Sequence, residues 1–446
     1  MVTAVVSTGF SQEAFDAFLA ARDEPSWLIE MRRTAWRRFL ELPLPSVRDE
    51  EWMRTDIRLF KFERFGLPDV DAGAPASANG LPHALLAAGV DLGGQVATID
   101  SRPVAADLAQ KWAKQGVLFG SLDSLVVEHG ELLRPFFERR VVDPNKDKFS
   151  ALHAAVWCGG TLLYVPKGVR LDESLHSLSS LSGSGVDFGK TLVILEEGAE
   201  ATMLSETAST SADGGGLHCG SIELIVDQGA RLRYVNLQNW GHEVWHFAHQ
   251  KAHVGREGRL QWTIGALGAR LAKVNQHVAM TGPDAEVQVN GVMFTEGRQH
   301  LSYHTHQHHQ APYCKSDLLY KVALQDRSRT VWRGMIKVDK PAQRTNAYQR
   351  NDNLMLSRDA RADSIPGLEI EADDVRCTHG STSGRVDEQQ VFYAMTRGYT
   401  RREAVRMIVA GFFQQVFDRI TIESVRDALG ESIGRRVRDI KELVQT

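Results

Sequence analysis

The sequence predicts a mainly β fold with helical ends: a right-handed β-helix, or solenoid, core flanked by N-terminal and C-terminal α-helical regions. Three observations carry this reading. From about Gly159 the chain turns into short strands separated by small or charged turn residues. Within that stretch a strand–turn–strand unit recurs at a period of roughly thirty residues, in the range of stacked repeat architectures. Before and after it, apolar residues recur at helical spacing. The 446 residues divide accordingly into a largely helical region 1–150, a β-helix core 151–386 and a C-terminal helical region 387–446.

The first helix with a clear apolar face carries Trp27, Leu28, Met31, Ala35, Phe39 and Leu40, with Arg32, Arg33, Arg37 and Arg38 as its polar surface. Pro43 and Pro45 end it, because proline lacks the amide a helix interior needs. Gly73 to Gly80, rich in Ala, Pro and Ser, reads as a loop. The repeat then begins. The unit Val193 to Met203, turning at Gly198, is echoed by Leu224 to Tyr234 around Gly229, by Val254 to Trp262, and by Met280 to Val289. Looser copies follow, after one longer interval, at Leu324 to Val331 and at Leu356 to Ala362. One such unit cannot bury its apolar face alone, and stacking on the next copy does so. A β-sandwich also has many short strands, but the repeated turn chemistry favours the solenoid.

After Asp387 the pattern is helical again. Thr400-Arg401-Arg402-Glu403 has the form of a capping box. Met407, Ile408, Phe412, Val416 and Phe417 make one apolar face, and Ile422, Val425, Leu429, Ile433, Val437, Ile440 and Leu443 another. These stripes either pack on each other or form a docking face for a partner.

Composition excludes several classes. A formal charge of −4 argues against nucleic acid as the main partner. No apolar run reaches bilayer length, so no transmembrane helix is expected, and Met1 to Phe10 lacks the basic and apolar regions of a signal peptide. The four cysteines, Cys158, Cys219, Cys314 and Cys377, show no paired spacing, as expected of a reducing cytoplasm. Ser184-Gly185 to Gly189-Lys190-Thr191 resembles a phosphate loop but lacks its first glycine. It also leads into an apparent strand, so no ATP is expected to bind here.

Two segments are candidates for metal chemistry. In a strand, His304, His306 and His308 line one face and His309 the other, and imidazoles on one face suit Zn²⁺ or Fe²⁺. No carboxylate or cysteine stands at ligand spacing nearby, so a hydrogen-bonded strand face is the competing reading. Cys377-Thr378-His379 places a thiol and an imidazole on one face of an extended segment. Alone it lacks the ligands of a closed site. Cys158 and Cys219 read as core or turn residues and Cys314 as an ordinary half-buried thiol. Arg333-Gly334 and Gln343 to Arg350 read as turn and surface groups.

The surroundings of Cys377 and His379 resemble the SufD members of the SufB/SufD family, which belong to the SUF iron–sulfur cluster assembly machinery. The matching residues are Cys377 to Gly384, Asp387-Glu388, Phe392-Tyr393 and Thr396 to Tyr399. Further matches are Leu42-Pro43-Leu44-Pro45, Glu50 to Asp56, Lys148 to His153 and Gly159 to Val169. The resemblance implies a β-helix scaffold subunit of a SufBCD complex. It implies pairing with the SufB paralogue through the core, binding of the SufC ATPase by the C-terminal helices, and no catalysis by this chain. It implies a nascent iron–sulfur cluster held transiently at the SufB interface, with His379 and then Cys377 as site residues. Whether reduced flavin takes part, and whether the chain forms a homodimer alone, stay open. Removing the chain from Thr400 onward is expected to abolish ATPase docking and leave the solenoid folded. The alternatives are a SufB-type paralogue, a β-helix enzyme such as a polysaccharide lyase, and a stand-alone metalloenzyme using His304 to His309. Gly380-Ser381 stands where SufB proteins typically carry Glu-Ala.

Overall fold

A computed structural model of the chain describes residues 9–68 and 80–437. Most of the expected loop at Gly73 to Gly80, and the apolar positions Ile440 and Leu443, lie outside these. The core is a β-solenoid of about eight coils with helices at both ends. Each coil contributes one strand to each of two ten-stranded sheets. Sheet A runs from Arg102–Leu108 through Leu92–Ile99 to Arg376–Arg385, and sheet B from Leu118–Ser121 to Arg361–Ile370. Successive coils stack parallel and in register, so that Arg231, Arg259, Glu286, Lys315, Asn346 and Arg376 stand side by side.

The sequence repeats map onto corners, with one correction. The four clear copies lie where sheet B hands over to sheet A, whereas Leu324 to Val331 and Leu356 to Ala362 lie at the opposite corner. The longer interval between Met280 and Leu324 is one and a half coils. At the first corner a left-handed residue recurs in every coil: Gly198, Gly229, Glu257, Asp284, Tyr313 and Arg344, with φ of 69, 66, 54, 61, 63 and 59°. Each of these amides donates to a carbonyl of the next coil, on Gln228, Arg256, Pro283, Pro312, Gln343 and Asp374, at 2.6–3.2 Å. The ladder of sheet bonds therefore continues around the bend. That bond offsets the roughly 1–2 kcal/mol cost of a left-handed non-glycine residue.

Side chains from both sheets fill the lumen, among them Tyr234, Trp262, Val274, Tyr303, Tyr320 and Trp332. The C-terminal helices Glu388–Thr396, Arg401–Phe417 and Glu423–Arg436 cover the outer face of sheet A. The capping box at Thr400 and Glu403 is present. The buried face of the long helix is Val405, Val409, Phe413, Val416 and Phe417, while Met407 is 51% exposed. Val416 and Phe417 of the predicted stripe lie on this face, whereas Ile408 and Phe412 are only partly buried beside it. The N-terminal region is less purely helical than expected, since Leu92–Ile99, Arg102–Leu108 and Leu118–Ser121 extend the sheets.

Helices Gln12–Ala20, Ser26–Glu41 and Lys148–Val156 pack Phe15, Trp36, Phe39 and Phe149 onto Phe188, Leu217 and Phe247 of sheet B. One predicted surface arginine is core. Arg32 is fully buried, binds Glu24 at 2.7 Å and donates to the carbonyls of Ala155 and Trp157 at 3.1 and 3.0 Å. Leu40, by contrast, is exposed. Arg32→Met leaves the Glu24 carboxylate with Arg22 alone, at 3.2 Å, and strands two carbonyls. We expect it to cost about 3–5 kcal/mol, read as a shift in a urea unfolding midpoint.

The Gly159-Gly160 pair has a steric cause. A Cβ would lie 2.1 Å from the carbonyl oxygen of Ser101 at the first, and 2.1 Å from that of Lys190 at the second. The chain here threads between a hairpin turn and the next rung.

Candidate functional site at the open end of the solenoid

The two ends of the solenoid differ. At the N-terminal end, Leu92–Ile99 and Arg102–Leu108 form an antiparallel hairpin with a register shift and Pro103, features that blunt a sheet edge. Trp112, Val117 and Phe119 fill the lumen there. At the C-terminal end, Arg361–Ile370 closes sheet B and Arg376–Arg385 closes sheet A, each hydrogen-bonded on one side only. The first carries Pro366, which removes a donor from that edge. The second, Arg-Cys-Thr-His-Gly-Ser-Thr-Ser-Gly-Arg, has no proline and keeps all its amides.

Cys377 and His379 lie on that strand, in register with Ala347 and Gln349. Gln349 is buried and reaches across the lumen to the carbonyls of Gly334 and Gly367, at 3.5 and 3.0 Å. It is a lumen residue, not the surface group expected, and Gly334 lies within a strand beside it. Cys377 and His379 therefore stand on the lumen side at the mouth of the solenoid. Ser381 bridges the mouth to Ser364 at 2.8 Å. Cys377 is half-buried against Ile336, Val338 and Ala347, and burial pushes its thiol pKa up. It is a protonated thiol at neutral pH and must lose that proton to bind a metal. His379 is exposed. The structure thus places an imidazole and a thiol on one face of an unpaired strand edge.

Beside this mouth lies a set of exposed apolar side chains that helix patterning did not reveal. Leu368 and Ile370 are on the last strand of sheet B, and Phe392 (69% exposed) and Tyr393 (61%) are on the helix Glu388–Thr396 that follows the last strand of sheet A. Large exposed aromatics of this kind mark contact surfaces.

The histidine-rich strand is divided as its alternation predicts. His304, His306 and His308 face outward from sheet B. His309 faces the lumen and shares a 2.8 Å hydrogen bond with Ser316. His304 Nε2 accepts from Lys273 Nζ at 2.8 Å, and Lys273 also donates to the Glu51 carbonyl at 2.8 Å. Burial, with the Lys273 charge, holds the His304 imidazole neutral. Burial also brings Lys273 down to about 7. His308 does have a carboxylate partner, Asp339 at 2.9 Å, which sequence spacing did not show. His304 and His309 point to opposite faces and form no joint site. Among the described residues, no group of three or more His, Cys, Asp and Glu side chains is placed to hold a metal ion.

The remaining cysteines are buried: Cys158 and Cys219 in the core and Cys314 at a corner, more deeply than expected. Past Gly189 the phosphate-loop look-alike is the strand Lys190–Leu195, and Lys190 is paired with Glu223 at 2.5 Å.

These features define a β-solenoid protein with one blunted end and one bare end. Residues 178–412 match the family model described as "SUF system FeS cluster assembly, SufBD core domain", and residues 93–176 match "SufBD protein N-terminal region". The chain belongs to the SufBD family of iron–sulfur cluster assembly proteins. A Staphylococcus epidermidis protein named iron–sulfur cluster assembly SufBD family protein is 25% identical over 438 residues, covering 93% of this chain and 90% of that one. A namesake from Staphylococcus saprophyticus is 26% identical over 425 residues, covering 90% and 88%. No helix among the described residues is long and apolar enough to cross a membrane.

Proposed function

We propose that the chain is a SufD-type scaffold subunit of a SufBCD complex, with the nascent iron–sulfur cluster as its cargo rather than a resident cofactor. One observation carries this reading: the bare strand Arg376–Arg385 presents Cys377 and His379 at an edge that a second solenoid can extend. A SufB paralogue adding its own end strand buries those side chains in a shared interface, with His379 as the leading ligand and Cys377 second. Gly380-Ser381 supports the SufD assignment over SufB. The SufC ATPase docks on the C-terminal helices, where Phe392, Tyr393, Met395, Tyr399 and Met407 are exposed. Hydrolysis belongs to that partner. Alone, two copies pair through the same strand.

Co-expression of the tagged chain with SufB and SufC from its own source tests the reading. Recovery of all three in one complex is expected, whereas a chain that purifies alone sinks it. His379→Ala leaves the stability of the isolated chain within about 0.5 kcal/mol, because the side chain is exposed there, and its effect is then read in the complex. Cluster yield falls about tenfold or more, the lower end of what metal-site substitutions cost. An unchanged yield removes His379 from the site.

A further inference from the structure

Deep in the lumen, three side chains on successive rungs form a chain of their own. Asp187, His218 and His246 share one register position, Asp187 opposite His218 and His218 opposite His246. Asp187 is fully buried and accepts from Ser101 Oγ at 2.9 Å. Its other oxygen lies 3.4 Å from His218 Nε2 and from the Gly189 amide. His218 Nδ1 and His246 Nδ1 are 2.7 Å apart. Both imidazoles line an enclosed polar cavity together with Ser205, Thr207, Asn236 and Gln250. Gln250 Oε1 is buried there with no protein partner, and the space is that of a few water molecules, about 40 Å³ at the centres of water-sized spheres.

This geometry admits two internally consistent proton arrangements. With Asp187 ionised, His218 carries its proton on Nε2, facing the carboxylate, so its Nδ1 accepts. His246 must then donate from Nδ1, and its Nε2 is an acceptor. With one proton added, Asp187 donates to His218 Nε2, His218 donates from Nδ1 to His246 Nδ1, and His246 carries its proton on Nε2. The two states interconvert without any group becoming doubly protonated at rest. A proton enters at His246 Nε2, the His246 Nδ1 proton passes to His218 Nδ1, and the His218 Nε2 proton passes to Asp187.

We propose that Asp187, His218 and His246 are a buried proton-binding site and relay. The bound proton rests on Asp187, and its arrival switches His246 from hydrogen-bond acceptor to donor toward the lumen cavity. The electrostatics agree. Burial is the largest influence on Asp187 and raises it to about 6, with Asp100 adding to the rise and the Ser101 hydroxyl and Gly189 amide opposing it. Burial holds both imidazoles neutral. The other titratable groups facing the chain are Cys158 and Cys219, both thiols held protonated by burial, and His153, held neutral by burial and the Lys190 charge. Lys190, which also lines the cavity, is committed to Glu223.

The test uses the full chain, with ¹⁵N NMR of the imidazole tautomers and the infrared carboxylic-acid band, from about pH 8 down to about pH 6. His246 is expected to move from the Nδ1–H to the Nε2–H form and His218 from Nε2–H to Nδ1–H, as a carboxylic-acid band grows to about half its full intensity. In Asp187→Asn the band and both tautomer changes disappear while the fold, read by circular dichroism, persists. His246→Phe keeps the band and loses the coupled change. Tautomers that stay fixed across this range, or that switch unchanged in Asp187→Asn, overturn the proposal. If Asp187→Asn does not fold, the wild-type tautomers alone decide.

Discussion

Lowering the pH from about 7.5 to about 5.5 is expected to unfold the solenoid cooperatively, well before ordinary acid denaturation. Nine histidines among the described residues are held neutral, with burial as the leading cause: His153, His218, His246, His253, His277, His300, His304, His306 and His309. In the unfolded chain each takes up a proton near pH 6.5. Folded, His253, His300 and His306 do so only at about 4, and His218 and His309 at about 3. The unfolded state therefore binds more protons between these limits. The stability carried by neutral imidazoles is complete above about pH 6.5 and is lost as pH falls below it. Each group costs about 1.4 kcal/mol per pH unit. Counting only His153, His218, His246 and His309, the loss is about 5 kcal/mol by pH 5.5, comparable with the whole stability of a typical domain. Asp187, raised by burial, works in the opposite sense and offsets one histidine. Tryptophan fluorescence across a pH series reads the transition. A fold unchanged at pH 5 would show that these imidazoles are not kept neutral.

Truncation at Tyr399 is expected to have the other large effect, and the packing of the C-terminal helices on sheet A argues against the sequence expectation that the solenoid survives it. Helices Arg401–Phe417 and Glu423–Arg436 cover Leu204, Val235, Leu237, Val292, Phe294 and Leu319 on sheet A. Exposing these costs about 1.5–3 kcal/mol for each fully buried side chain. Six of them match or exceed a domain's total of about 5–15 kcal/mol. The truncated chain is expected in the insoluble fraction. Substitutions on the exposed face, such as Phe392→Asp or Tyr393→Asp, are the variants that probe ATPase docking with the fold retained. A soluble truncated chain with an intact β spectrum would show that the helices are an appendage.

Residues whose partners are close in sequence were legible. The capping box at Thr400, the alternation that separates His309 from His304, and the thirty-residue coil all follow from local pattern. The half-coil slip in the last two repeats arose because both corners use small or charged turn residues, and only the strand register tells them apart. Arg32 was misread because its partners, Glu24 and the carbonyls of Ala155 and Trp157, are set by packing. Cys377 and His379 stood out by family resemblance, but their place at an unpaired edge depends on where the stacking stops. Asp187, His218 and His246 escaped notice for the same reason: they are one coil apart, and their alignment exists only once the register is known.

The unequal ends also set the valence of the particle. A solenoid with two bare ends can add units indefinitely and grow into a fibre. Here Pro103 and a register shift finish one end, and Pro366 interrupts one of the two edges at the other. Among the described residues Arg376–Arg385 is the one long uninterrupted edge strand, since the proline-free edge Leu118–Ser121 at the other end is only four residues long. In the proposed pairing, edge-to-edge growth through that strand stops at two subunits, and the residues at the mouth lie at the centre of the pair.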